Sequence, residues 1–233
     1  MVERAPLQLK ALLFLWLGLC AVLWFGSHQV QAKWPGVPPV PSEKGAVVMT
    51  LGDTQLSYRM GALTLQNLGD DGGRVTPLKN YDYTKLSAWF GLLKKLDPVS
   101  NHVPLIAAYY FGATREPDQA LIVAKYLGEI GQDPSGEKWR WLAHAVFLAR
   151  YRANDLDFAL ALAYKLAAMQ LDRGREMPIW ARQMPVFVLT ARGEKDAARA
   201  IMGGILMTDK NLKPNEINFM KGFLAERLGD DGR

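Results

Sequence analysis

The sequence predicts an all-α chain, a solenoid of helical hairpins behind one N-terminal membrane-spanning helix. Three observations predict it. Asp118-Gln119-Ala120-Leu121 recurs as Asp157-Phe158-Ala159-Leu160 and, more loosely, as Asp196-Ala197-Ala198-Arg199, which sets the three alanines 39 residues apart each time. A fixed period of that length marks helix-pair units that bury their apolar faces against their neighbours. The run from Ala11 to Gly26 carries no charge. Elsewhere apolar residues recur at helical spacing, with prolines where helices would begin.

The N-terminal run decides where the chain goes. Its sixteen residues rise about 24 Å as a helix, and Ser27 to Val30 extend it towards a roughly 30 Å hydrocarbon core. Trp16 and Trp24 suit a membrane setting. We read residues 1–10 as a cytoplasmic N-terminus and 11–30 as a transmembrane signal-anchor. The competing reading is a cleaved leader, with Val30-Gln31-Ala32 as its cleavage site. The anchor is favoured because the run is longer than most leader cores. Arg4 and Lys10 precede the span and Lys33 is the nearest basic residue after it, which orients the N-terminus inwards and the remainder outwards. Cys20, the only cysteine, lies within this run. Leu19 is too large for a lipoprotein cleavage site, so a membrane thiol is expected there. The remainder has no cysteine, which excludes disulfides and cysteine-based zinc sites from it.

Composition narrows the class of protein. The chain has 233 residues, 49% of them hydrophobic, and its formal charge of +5 is spread without long like-charged blocks. A disordered chain and a dedicated nucleic-acid surface are both disfavoured.

Residues 31–52 read as a proline-rich linker. Pro35, Pro38, Pro39 and Pro41 impose extended backbone, and Gly45 to Leu51 is a β-prone stretch. The helical domain spans 53–228. Asp53 caps a first helix ending near Gly69. Gly69 to Arg74 lacks the Lys-Ser/Thr ending of a phosphate loop, and its aspartates would repel an anion, so an inter-helix loop is expected. Asp82 caps a helix that stops at Leu96-Asp97-Pro98. Three pairs come next: 104–112 with 117–130, 137–153 with 155–169, and 178–191 with 194–207, with a kink at Pro185. A last helix, 214–228, is more polar through Asn215 and Asn218, as a terminal cap should be. Residues 229–233 form a tail.

The stretch from Tyr81 to Pro98 resembles the second helix of a tetratricopeptide repeat (TPR). It has an aromatic start, an aromatic one turn on, and a Leu96-Asp97-Pro98 ending. Leu86 stands where that helix usually has a small residue, and Ala120, Ala159 and Ala198 hold that place later. The first-helix pattern is weak, with Ala108, Phe147 and Val186 at its small-residue position. Asp97 to Asn101, Ala107 to Ala113 and Lys138 to Ala143 also resemble uncharacterised bacterial single-span membrane proteins. These resemblances imply a TPR-like domain in a bacterial envelope, periplasmic and tethered to the cytoplasmic membrane. In TPR-like solenoids the first helices line a groove for a peptide or partner helix. That implies a groove containing Tyr109, Trp141, His144, Tyr151, Arg152, Trp180 and Phe187, beside His102, Leu105, Leu148 and Gln183.

No catalytic set competes with this. His102 and His144 sit in no zinc motif, no Gly-x-Ser-x-Gly elbow exists, and the carboxylates Asp53, Asp82, Asp155 and Glu194 fall at helix starts. The expectation is therefore a non-enzymatic scaffold with no cofactor or metal, bound to a membrane-associated protein partner and not to nucleic acid. The alternatives are a signal-cleaved periplasmic binding protein of the same fold and an envelope-polymer hydrolase.

Overall fold

A computed structural model of the protein describes residues 7–28, 36–71 and 74–229. The chain divides into two compact units, Met1–Pro35 and Gly36–Arg233. The first holds α1 (Leu7–His28), whose apolar residues cover every side rather than one stripe. Its segment Lys10–Ser27 is long and apolar enough to cross a membrane. Residues 29 and 30, assigned to the span by the sequence, lie outside the described residues.

Among the described residues, the regular structure of the second unit is helical apart from a two-residue antiparallel ladder, Asp70–Asp71 with Arg74–Val75. Its helices are α2 (Glu43–Met49), α3 (Thr54–Gln66), α4 (Tyr83–Leu96), α5 (His102–Tyr109), α6 (Pro117–Ile130), α7 (Trp139–Tyr151) and α8 (Leu156–Ala168). Beyond them lie α9 (Ile179–Arg182), α10 (Met184–Arg192), α11 (Lys195–Thr208) and α12 (Pro214–Arg227).

The aspartate caps form as their side chains dictate. The carboxylates of Asp53, Asp82 and Asp155 accept the backbone N–H groups of Leu56, Lys85 and Phe158 at 2.9, 3.0 and 2.9 Å. Each satisfies a donor that the first helical turn leaves unpaired. Glu194 also takes an N-cap position but makes no side-chain cap bond; it pairs with Arg192 instead.

Successive helices pack as pairs: α3 on α4, α5 on α6, α7 on α8, α10 on α11. Alternate helices also touch, α3 with α5, α4 with α6, and α5 with α7. Stacked hairpins in two layers give that pattern, so the arrangement is compatible with a helical repeat. Ala120, Ala159 and Ala198 are fully buried. A larger side chain forced into a well-packed buried position costs about 1–3 kcal/mol. The core forms one large cluster from Val37 to Val188 and a smaller one around Val186, Met202 and Met220.

Four details differ from the sequence reading. The β-prone stretch forms α2, because Ser42 accepts the Gly45 N–H at 3.1 Å and starts a helix. From Gly36 the proline-rich segment belongs to the folded unit, with Val37 buried and the Trp89 indole donating to the Pro38 carbonyl at 2.9 Å. The first helix ends at Gln66, and Gly69 instead opens the two-residue ladder, with the Tyr81 hydroxyl donating to the Leu68 carbonyl at 2.8 Å. The helix expected over 178–191 is broken at Gln183 into α9 and α10. Pro185 has no N–H for the Ala181 carbonyl, and the ladder resets one turn earlier with Val186 N–H on the Gln183 carbonyl. The tail beyond Gly229 is outside the described residues.

Candidate functional site

Aromatic side chains converge on one side of α7. Tyr109 at the end of α5 lies 4.9 Å from the His144 ring and 6.5 Å from that of Trp141. His144 lies 5.6 Å from Phe147, and Phe147 lies 5.1 Å from Tyr151. Their spacing along α7, three and then four residues, sets them on one face of the helix. Tyr109 and Tyr151 are 65% and 59% exposed, so these rings border solvent rather than close the core.

The end of this face opens into a cleft of about 490 Å³ between α7, α10 and α12. α7 contributes Val146, Phe147, Arg150 and Tyr151; α10 contributes Met184, Phe187, Val188 and Thr190; α12 contributes Phe223 and Arg227. Phe187 packs edge-on to Phe223 at 5.5 Å and to Phe219 at 6.3 Å. The volume is within the range of ligand-sized sites. The Arg150 guanidinium lies 4.5 Å from the centre of the Tyr151 ring, a cation–π arrangement. The Thr190 hydroxyl donates to the Val186 carbonyl of its own helix at 2.7 Å, leaving the lining mainly apolar with two cationic groups.

His144 is held in place by the Ala108 carbonyl, 3.2 Å from its Nε2. Burial pushes its pKa below the ordinary imidazole range, with the Ala108 contact opposing. A neutral ring with Nε2–H donating fits both facts. Trp141 donates its indole N–H to Asn101 at 2.7 Å, which fixes its ring beside Tyr109.

Of the residues assigned to the groove, the structure brings together Tyr109, Trp141, His144, Tyr151 and Phe187. Arg152 is exposed at the end of α7. Trp180 lies elsewhere: it packs on the buried Trp139, ring centres 5.5 Å apart, and does not line the cleft. Leu148 and Gln183 are buried and belong to the core, whereas Leu105 and His102 are exposed on α5. Sequence reasoning missed Phe147, Arg150, Met184, Phe223 and Arg227. The signal available was spacing: Phe219 and Phe223 stand four apart on the helix that its asparagines marked as polar.

Among the described residues, the cleft lining contains no carboxylate, histidine or cysteine. Among the described residues, no group of three or more His, Cys, Asp or Glu side chains is placed to hold a metal ion. What the arrangement can do is desolvate aromatic and aliphatic groups of another molecule beside fixed positive charge. No protein-family model, no curated protein and no solved structure matches this chain.

Proposed function

We propose that the protein is a membrane-anchored, non-catalytic scaffold that binds a protein segment in the bacterial cell envelope. The observation that carries this reading is the aromatic face of α7 continuing into the cleft beside α10 and α12. Fully burying one such ring contributes about 1.5–3 kcal/mol, and Tyr, Trp and Arg are the residue types that dominate binding hot spots. The packed hairpins and buried 39-residue alanines support a TPR-like solenoid, with the cleft formed mainly by first helices of hairpins. α1 anchors the chain in the cytoplasmic membrane. Arg4 and Lys10 before the span support a cytoplasmic N-terminus and a periplasmic domain. The partner is a protein associated with the same membrane.

The test is affinity purification of the tagged full chain from gently solubilised membranes. Wild type is compared with Tyr151→Ala/Phe223→Ala and with Met207→Ala, which alters an exposed apolar residue outside the cleft. A defined protein set kept by wild type and Met207→Ala, and lost from the double variant with its helical circular dichroism unchanged, supports the reading. An identical set on all three chains refutes it.

A further inference from the structure

We propose that the cleft selects an acidic partner segment, an amphipathic helix of another protein. Its apolar side chains would cover Phe147, Phe187 and Phe223 while its carboxylates meet Arg150 and Arg227. This rests on the reading of the cleft as a protein-binding surface, and it adds the sign of the charge that the surface recognises.

Three observations carry it. Arg150 and Arg227 enter the cleft from different helices, α7 and α12, and among the described residues neither forms an ion pair. Elsewhere on the domain Arg140, Arg175, Arg182, Arg192 and Arg199 each have a carboxylate within salt-bridge distance, whereas Arg59, Arg115 and Arg152 have none among the described residues. In the cleft two such guanidinium groups share one mainly apolar lining.

Charge also has one sign on two of the helices that wall the cleft: α7 and α10 together contain three arginines and no aspartate or glutamate. On α12, Glu216 is committed to the Lys213 N–H at 2.8 Å and Glu226 does not line the cleft. A concave, mainly apolar lining with one sign of charge focuses the field and favours an anionic ligand.

The third observation is geometric. With its guanidinium over the Tyr151 ring, Arg150 is preorganised, and its planar N–H edge can take a carboxylate in a bidentate fork. The cleft sets two guanidinium groups beside the rings of Phe147, Phe187 and Phe223, which complements a segment that carries carboxylates and apolar side chains together. The occupant is therefore a peptide segment rather than a lipid surface.

The experiment uses the full chain in nanodiscs of neutral lipid, with empty nanodiscs as the blank. Three fluorescent 18-residue amphipathic helices share one Leu/Trp face and carry Glu, Gln or Lys on the other. Binding is read by anisotropy at low and high salt. The Glu peptide should bind about tenfold more tightly than the Gln peptide, roughly what two partly exposed charge pairs supply, and the Lys peptide more weakly than either. Added salt should narrow the gap. Arg150→Gln/Arg227→Gln should abolish the preference for the Glu over the Gln peptide, and Phe223→Ala should weaken all three. Equal binding of Glu and Gln peptides, or a full preference surviving in the arginine double variant, overturns the charge assignment and leaves the cleft as a neutral binding surface. Peptides that fail to bind, or that bind regardless of Phe223, overturn both readings. Arginine-dependent capture of phosphatidylglycerol vesicles without peptide binding makes the cleft a lipid contact and overturns the inference.

Discussion

Gly131→Ala should destabilise the helical domain, while Gly203→Ala should stabilise it. Gly131 follows α6 with φ −70° and ψ −8°, a backbone conformation that alanine adopts freely. Restricting the unfolded chain alone would make the substitution favourable by about 0.4–1 kcal/mol. The surroundings reverse the sign. A Cβ at this position stands 2.2 Å from the backbone nitrogen of Leu142 and 2.6 Å from its Cα and Cβ, where ordinary contact begins at 3.4 Å. Leu142 is fully buried on α7, and its backbone cannot rotate aside as a side chain can. Relief requires α7 to move away from α6, the helix it packs against most extensively. Overpacking against backbone at 2.2 Å falls towards the upper end of about 1–3 kcal/mol, which leaves a net loss of about 2 kcal/mol. Gly203 lies inside α11 with no atom within 4 Å of the position a Cβ would take. There alanine gains about 0.5–1 kcal/mol over glycine in a helix interior. Urea titration of the full chain in nanodiscs, followed by far-ultraviolet circular dichroism, reads both as midpoint shifts of opposite direction. A Gly131→Ala chain as stable as wild type would refute the close approach of α6 and α7.

Three further outcomes are expected from the geometry. Tyr83 is buried and donates its hydroxyl to the Phe111 carbonyl at 2.9 Å, so Tyr83→Phe should cost about 1 kcal/mol in the same titration; an unchanged midpoint would mean that the bond contributes nothing. Burial lowers the pKa of His144 in the folded chain, so the unfolded chain binds the extra proton over the window below the ordinary histidine value. The stability from its neutral form is complete above about pH 6.5 and is lost as pH falls through that window. His144→Gln should flatten the decline of the urea midpoint between about pH 7 and pH 5, and an identical pH profile would refute this. Intact-mass measurement should find the membrane-purified chain still carrying the segment before Lys33; a mature start at Lys33 would make α1 a removed leader and end the anchor reading.

Much of the fold is legible in the sequence because it is written locally. The cap carboxylates Asp53, Asp82 and Asp155 lie within three residues of the N–H groups they accept, and α6 begins at Pro117, where a missing N–H costs nothing. The burial of Ala120, Ala159 and Ala198 follows from a period visible by eye. Even α1 is a matter of composition, an apolar run of sufficient length. The proline-rich segment after Gly36 is less legible, because Val37 and Pro38 are held by residues far along the chain, Trp89 among them.

The candidate site shows the same division more sharply. Tyr109, Trp141, His144 and Tyr151 can be found from register, since each lies on a helix whose period is visible. Phe147 and Leu148 are neighbours in sequence, yet one lines the cleft and the other is buried in the core. An α-helix turns about 100° per residue, so an error of one position exchanges a binding face for a packing face. Register equates Trp180 with Trp141, but the break at Gln183 changes the register of its helix, and its ring meets Trp139 instead. Phe223 and Arg227 join the site only because α12 closes against the side of α10. The sequence by itself determined most of the helices, the aspartate caps, the repeat period and the apolar N-terminal segment, all properties of short stretches of chain. Only the tertiary structure decided which faces of α7, α10 and α12 share a cleft and which glycine must remain a glycine. Both depend on how rigid helices meet, and that contact geometry is fixed by packing across distances that no local pattern records.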